Sequence, residues 1–133
     1  MIADINDSVR YTVTLPESSY VTGVERGIAA LKARGFEAVE LKNFWLRNHD
    51  NTRYRGINMT WRDPATGQLF EFQFHTGKSF DAKQLTHFWY EVDRTPGVTQ
   101  LESDFAAAQM GLIFGEVPYP NGAIRIPEFG PGR

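Results

Sequence analysis

Leu69-Phe70-Glu71-Phe72-Gln73-Phe74-His75-Thr76 alternates apolar and polar side chains without a break. Strand side chains point to opposite faces in turn. Phe70, Phe72 and Phe74 therefore share one face, and Glu71, Gln73 and His75 share the other. The stretch just before it, Tyr54-Arg55-Gly56-Ile57-Asn58-Met59-Thr60-Trp61, divides in the same way. Ile57, Met59 and Trp61 fall on one face, with Tyr54, Asn58 and Thr60 opposite. Asp63-Pro64-Ala65-Thr66-Gly67 between the two is a strong turn signal and predicts a hairpin. One side of that hairpin is a heavy apolar layer. The other gathers a carboxylate, two amides, an imidazole and a phenol, more chemistry than a solvated sheet face needs.

Working outward, Val9, Tyr11, Val13 and Leu15 alternate with Arg10, Thr12 and Thr14 and predict a first strand ended by Pro16. Ser18 or Ser19 is placed to cap a helix running to about Arg34. Its apolar face is Val21, Val24, Ile28 and Leu31, and Gly35 stops it. Phe36 to Lys42 reads as a second strand with Val39 and Leu41 on one side. The polar segment from Lys42 to Arg53 reads as a loop, in which Phe44 and Trp45 are candidates to cover a ligand or a partner. After the hairpin, Ser79 is placed to cap a helix to about Arg94, with Phe80, Phe88, Trp89 and Val92 for the core. A last helix is predicted from about Thr99 to Met110, with Leu101, Phe105 and Ala108 facing inward. The order β-α-β-β-β-α-α implies an α/β (α+β) domain, a small mixed β-sheet covered by helices. The tail from Gly115 holds four prolines and is open to three readings: a hairpin at Asn121-Gly122, an ordered wrap, or a disordered end.

The 133 residues are enough for one ordinary domain, and 41% hydrophobic content with ten Phe is ample for its core. A net charge of −2 supplies no global basic field for nucleic acid. The absence of cysteine removes disulfides and thiolate metal sites. No apolar run approaches the ~20 residues of a bilayer span, so no membrane role is expected.

In this order and at these separations, the segments resemble the synthetase domain of the RelA/SpoT family of pyrophosphokinases, which make (p)ppGpp-type alarmones. The resemblance runs through most of residues 5 to 94. It is carried by Ile5-Asn6-Asp7 before a strand, the Tyr20 to Leu31 helix, and Gly35-Phe36 followed by a strand ending in Lys42-Asn43. Tyr54-Arg55-Gly56-Ile57-Asn58 is similar to the family's Gly-Tyr-x-Ser-x-His segment, and Phe70 to Thr76 to its Glu-x-Gln-x-Arg-Thr strand. It looks closest to the divergent branch of toxin-like proteins and effector domains, through Lys42-Asn43-Phe44-Trp45 and the Phe-Glu-x-Gln-Phe-His-Thr pattern.

The resemblance implies the family's nucleotidyltransferase-like fold over residues 1–114, with 115–133 as a Pro/Gly-rich tail. It implies transfer of pyrophosphate from ATP to the 3′-hydroxyl of an acceptor nucleotide, with Mg²⁺ held by Asp7 and Glu71. Glu71 would also help activate the hydroxyl, and Tyr54 would stack on the acceptor base. Asn58, Arg55, Lys42, Gln73 and His75 would contact substrate, with Arg47 and Arg53 adding charge near the stripe. The toxin branch implies action in the cytoplasm, delivery as a secreted effector domain, and an immunity or antitoxin partner.

Three departures stand against the pattern. The family's donor-binding basic segment lies upstream of the first strand, where this chain has six residues before Asp7, so the donor-binding part is expected to be missing. Asn58 replaces a His, and His75 replaces an Arg, removing one permanent cation. The acceptor is thus open between GDP or GTP, adenine nucleotides and a tRNA 3′ end. A degenerate nucleotide-binding module without catalysis is the rival of a different class.

The residues alone leave simpler roles open as well. Asp7 either binds metal or caps a strand end, and a straight strand would place it on the face of Val9 and Tyr11, away from Arg10. Asn58 and Gln73 either contact ligand or pair across the hairpin. Lys83, His87, Glu91 and Arg94 form a helix stripe whose default is an exposed, salt-linked face.

Overall fold

The computed structural model describes residues 9–48 and 53–131. Strand β1 (Arg10–Leu15) leads through a 3-10 turn into helix α1 (Tyr20–Ala33), then β2 (Glu37–Asn43) and a one-turn helix α2 (Phe44–Arg47). The hairpin β3 (Ile57–Arg62) and β4 (Leu69–Thr76) follows, then α3 (Gly77–Asp93) and α4 (Gln100–Gly115). The four strands form one mixed sheet in the order β1-β4-β3-β2, with β1 parallel to β4 and the other pairs antiparallel. The expected α+β architecture is the observed one.

The hairpin register settles which residues share a face. Asn58 lies opposite Gln73, Thr60 opposite Glu71, and Met59 opposite Phe72. On the core face, Ile57, Met59, Trp61 and Phe74 are fully buried under Tyr20 and Val24 of α1. Gly27 lets α1 approach closely, since a Cβ there would sit 2.8 Å from the Phe74 ring. Strand β2 carries a bulge between Ala38 and Glu40. The bulge makes Val39 an extra residue, so the simple alternation that groups Val39 with Leu41 does not run through it. It also lets Ala38 pack on the core while Glu40 and Lys42 line up with Thr60 and Asn58 on the far face.

Several local expectations are corrected. Helix α1 starts after Ser19, but no serine side chain makes a capping bond. Thr76, not Ser79, caps α3, and Ser79 is the third residue of a reciprocal capping box. Thr99 caps α4 in the same way with Glu102, and α4 runs on to Gly115. Leu101, Phe105 and Ala108 face solvent, and Ala106 and Phe114 are the buried residues of that helix. Phe88 is exposed as well. Trp45 covers no ligand: it is fully buried, and its Nε1 donates to the Tyr20 hydroxyl, which donates to the Phe74 carbonyl.

The tail is an ordered wrap. Val117, Ala123 and Ile126 join the core, and Phe129 bridges to Leu41. Asn43 ties it down. Its Oδ1 accepts from the backbone of Trp45 and Leu46, and its Nδ2 donates to the carbonyls of Ala123 and Ile126. Among the described residues, no helix is long and apolar enough to cross a membrane.

Asn43→Ala removes those four hydrogen bonds from a fully buried site and strands two amide N–H groups and two carbonyls. The expected loss is about 3 kcal/mol, read as a lowered urea midpoint with an unchanged slope. An unchanged midpoint would show that the tail is not held through this side chain.

Candidate functional site

The polar face of the sheet is organised in rows. Arg10, Glu71, Thr60 and Glu40 lie side by side across all four strands, and Thr12, Gln73, Asn58 and Lys42 form the next row. Thr14 and His75 begin a third. The stripe expected from the hairpin thus extends over the whole sheet, and α3 crosses one end of it.

Glu71 is partly exposed, and its Oε2 accepts from Arg10 Nη2 at 3.0 Å. The Lys83 ammonium comes down from α3 and donates to Gln73 Oε1 at 2.8 Å. Burial, and after it the charge of Arg10, lowers the Lys83 pKa, while Glu71 acts in the opposite sense. Lys42 reaches back to Glu40 at 3.7 Å on the same face. The surface therefore offers one carboxylate at its centre with cations on either side.

The end of the face nearest α3 is a connected polar network. Tyr54 donates its hydroxyl proton to Asn58 Oδ1 at 2.8 Å and lies 2.9 Å from His75 Nε2. His75 Nδ1 lies 2.8 Å from the Ser79 hydroxyl. Tyr54 gives its one proton to Asn58, so its oxygen accepts from His75 Nε2–H, while Nδ1 lies against the Ser79 hydroxyl, which also bonds the Thr76 backbone. Burial first, and then the charge of Lys83, holds the His75 pKa down at about 4. Burial also raises the Tyr54 phenol above its usual range. Only glycine fits at position 56, because its φ is +153° and a Cβ would sit 2.9 Å from the His75 ring.

The expected site residues do not all share this face. Glu71, Gln73, Asn58 and Lys42 do, and Tyr54 and His75 close its end. The Tyr54 ring meets Phe44, His75 and Phe114 in edge-to-face contacts. Arg55 is buried away from the stripe. It donates to the carbonyls of Asn48 and Arg53 and lies over the Tyr119 ring. Arg47 pairs with Glu128 of the tail. The basic cluster expected from Arg47 and Arg55 is thus spent on holding loop and tail. Asp7 lies outside the described residues. Among those described, no group of three His, Asp or Glu side chains could hold a metal.

Two solved structures are similar to this chain. One is a GTP pyrophosphokinase family protein from Streptococcus pneumoniae, 16% identical with a TM-score of 0.48. The match covers 79% of this chain and 54% of that one. The other is small alarmone synthetase 1 from Bacillus subtilis bound to its product pppGpp, 19% identical with a TM-score of 0.46, covering 82% of this chain and 62% of that one. The chain therefore spans less than two thirds of the length of either. No family model and no curated protein matches the chain.

Two cations of the face were not singled out in the sequence. Arg10 is on the polar side of β1, a parity that the alternation with Tyr11 and Val13 already contained. Lys83 shares a helix stripe with the buried Ser79 and Thr86, small polar residues that mark the side of α3 turned to the sheet. His87 is exposed and paired with Glu91, as the default reading of that stripe has it.

The neutral His75 makes stability depend on pH. The unfolded imidazole takes its proton near 6.5, the folded one only near 4. The stabilisation is thus complete above pH 6.5 and is lost as pH falls towards 4, by roughly 1.4 kcal/mol per pH unit inside that window. Urea unfolding from pH 7.5 to 4.5 should show this slope in the native chain and a flatter one in His75→Gln. Equal slopes would contradict a neutral His75.

Proposed function

We propose that the chain is a Mg²⁺-dependent pyrophosphokinase domain, moving the β,γ-pyrophosphate of ATP onto the 3′-hydroxyl of an acceptor nucleotide. The observation that carries this reading is Glu71, a carboxylate of an open sheet face that is paired with Arg10 in its own row and has the Gln73–Lys83 pair in the adjacent row. Transfer of this kind needs alignment and charge neutralisation more than covalent help from the protein. Such a face supplies both.

The donor set fits a magnesium site of the usual kind, in which one or two carboxylates act together with substrate phosphates. Glu71 would hold the ion, with Asp7 as its partner from the resemblance. When bound, the ion neutralises phosphate charge. The Arg10–Glu71 pair is solvent-accessible on the Arg10 side and is worth no more than about 1 kcal/mol, so Arg10 is free to turn to phosphate. Lys83, already partly desolvated, adds a second cation next to it. The 3′-hydroxyl oxygen forms a bond to the β-phosphorus, the bond from that phosphorus to the bridging oxygen of the α-phosphate breaks, and AMP leaves. The hydroxyl proton goes to the Glu71 carboxylate. Tyr54 is the platform for the acceptor base, held at a fixed angle by Asn58 and His75. An aromatic platform of this kind is worth ~1–3 kcal/mol per base.

The acceptor is a guanine or adenine nucleotide in this reading. A tRNA 3′ end is the less favoured acceptor, since the face carries few cations and the chain is net acidic. ATP supply sets the site of action in the cytoplasm. Delivery as a toxin or effector, with an immunity or antitoxin partner, is the context that the divergent-branch motifs suggest.

The test is transfer of label from β,γ-labelled ATP, with Mg²⁺, to GDP, GTP, ADP, ATP, AMP and tRNA in turn. Glu71→Gln should abolish the product and leave the circular dichroism spectrum unchanged. Full activity in that folded variant would overturn the mechanism. Lys83→Met should lower kcat/KM at least tenfold, about 1.4 kcal/mol of transition-state stabilisation. Label transfer that is insensitive to Lys83 would remove it from the phosphate site.

A further inference from the structure

The helical hairpin of α3 and α4 carries an apolar face that nothing else in the described chain covers. On α3, Leu85, Phe88 and Val92 follow at intervals of three and four residues. On α4, Leu101, Phe105, Ala108 and Leu112 follow at four, three and four. This is the a/d spacing of a coiled-coil seam. Yet Leu85, Phe88, Leu101, Phe105 and Leu112 are between 55% and 79% exposed. The two stripes lie on one side of the hairpin. Val92 lines one groove with Leu101 and Phe105, and Leu85 lines the next with Ile113 and Val117. The side of α3 carrying Ser79 and Lys83 is the one turned to the sheet.

Helix α4 carries only two charged residues within its span, Glu102 and Asp104, with Glu116 at its C-terminal cap. A helix of that kind belongs in a buried setting. Five large side chains left more than half exposed amount to on the order of 500 Å² of apolar surface, the size at which a patch marks an interaction site. With a polar rim it reaches the ~800 Å² per partner of a standard interface.

We propose that this face pairs two copies of the chain, the two hairpins crossing antiparallel into a four-helix layer. The surface is self-complementary under a two-fold axis. The α4 stripe has its midpoint between Phe105 and Ala108, so each Phe105 ring falls on the small Ala108 of the partner subunit. Leu101 at one end meets Leu112 of the partner subunit. The charges follow the same symmetry. Lys78, the one cation lining either groove, sits at the Glu116 end, and Glu102 lines the groove at the other end. The crossing brings Lys78 towards Glu102 of the partner subunit. The inference stands apart from the proposed reaction, because none of these residues touches the polar face.

Sedimentation equilibrium at micromolar concentration should give twice the mass of the chain. Leu101→Glu with Leu112→Glu should give a folded monomer. The chain has no cysteine, so single introduced thiols report the geometry cleanly. Ala108→Cys should cross-link to itself on mild oxidation. Leu101→Cys and Leu112→Cys should cross-link to each other when mixed, and far less each to itself. A native mass of one chain, a dimer that survives the double substitution, or self-linking at Leu101 in preference to the mixed pair would each overturn the proposal.

Discussion

The alternation of β4 is the constraint on which the rest of the molecule depends. It is flanked by β1 on one side and β3 on the other, so its pleat sets the facing of the strands around it. Because the side-chain period is two, a slip of one residue would put Phe70, Phe72 and Phe74 on the polar face and Glu71, Gln73 and His75 under α1. Burial of Phe74 against Gly27 and Tyr20 forbids that slip. The same register that builds the core therefore builds the row from Arg10 to Glu40. The bulge in β2 is needed for the same reason: without its extra residue, Ala38 would share the parity of Glu40 and Lys42.

Much of the polar side is held by burial and hydrogen bonding instead of by charge. His75 takes the position of a permanent cation in the family that the sequence resembles, but a neutral imidazole locked between Ser79 and Tyr54 contributes orientation and no charge. The cations on this face include Arg10 and Lys83, one from a strand and one from a helix. Lys83 is informative because its ammonium is partly desolvated yet keeps a neutral partner, Gln73, in place of a carboxylate. An ammonium not neutralised by an acid is poised to meet an anion.

The fold was largely legible because its signals are periodic. Strand alternation, the Asp63 to Gly67 turn and the stop at Gly35 are all local, and the hairpin and α1 follow from them. What escaped was set by tertiary contacts. Trp45 looks misplaced in a polar segment until Tyr20 is seen to accept its indole proton. Arg55 reads as a site cation until the loop carbonyls and Tyr119 enclose it. Ser79 competes with Thr76 as the cap of α3, and only the reciprocal bonds between them separate cap from third residue. The inward face of α4 is not legible in the sequence, because a helix with apolar residues on every side gives periodicity nothing to choose between.

Helix α3 is where these demands meet, and its sequence divides among them with little redundancy. Ser79, Lys83 and Thr86 serve the sheet and its polar face. Ala82 and Trp89 serve the packing with α4, Trp89 through the edge of Phe105. Leu85, Phe88 and Val92 are left for the outside. A helix with only the first two duties would carry charged residues at those three positions, as it does at Asp81, His87 and Glu91. Exposed leucine and phenylalanine cost solubility, and α3 contains no other reason to keep them. The outward stripe is thus best understood as a third packing face, and the helix that brings Lys83 to the candidate site is also the one that a second hairpin would hold in place.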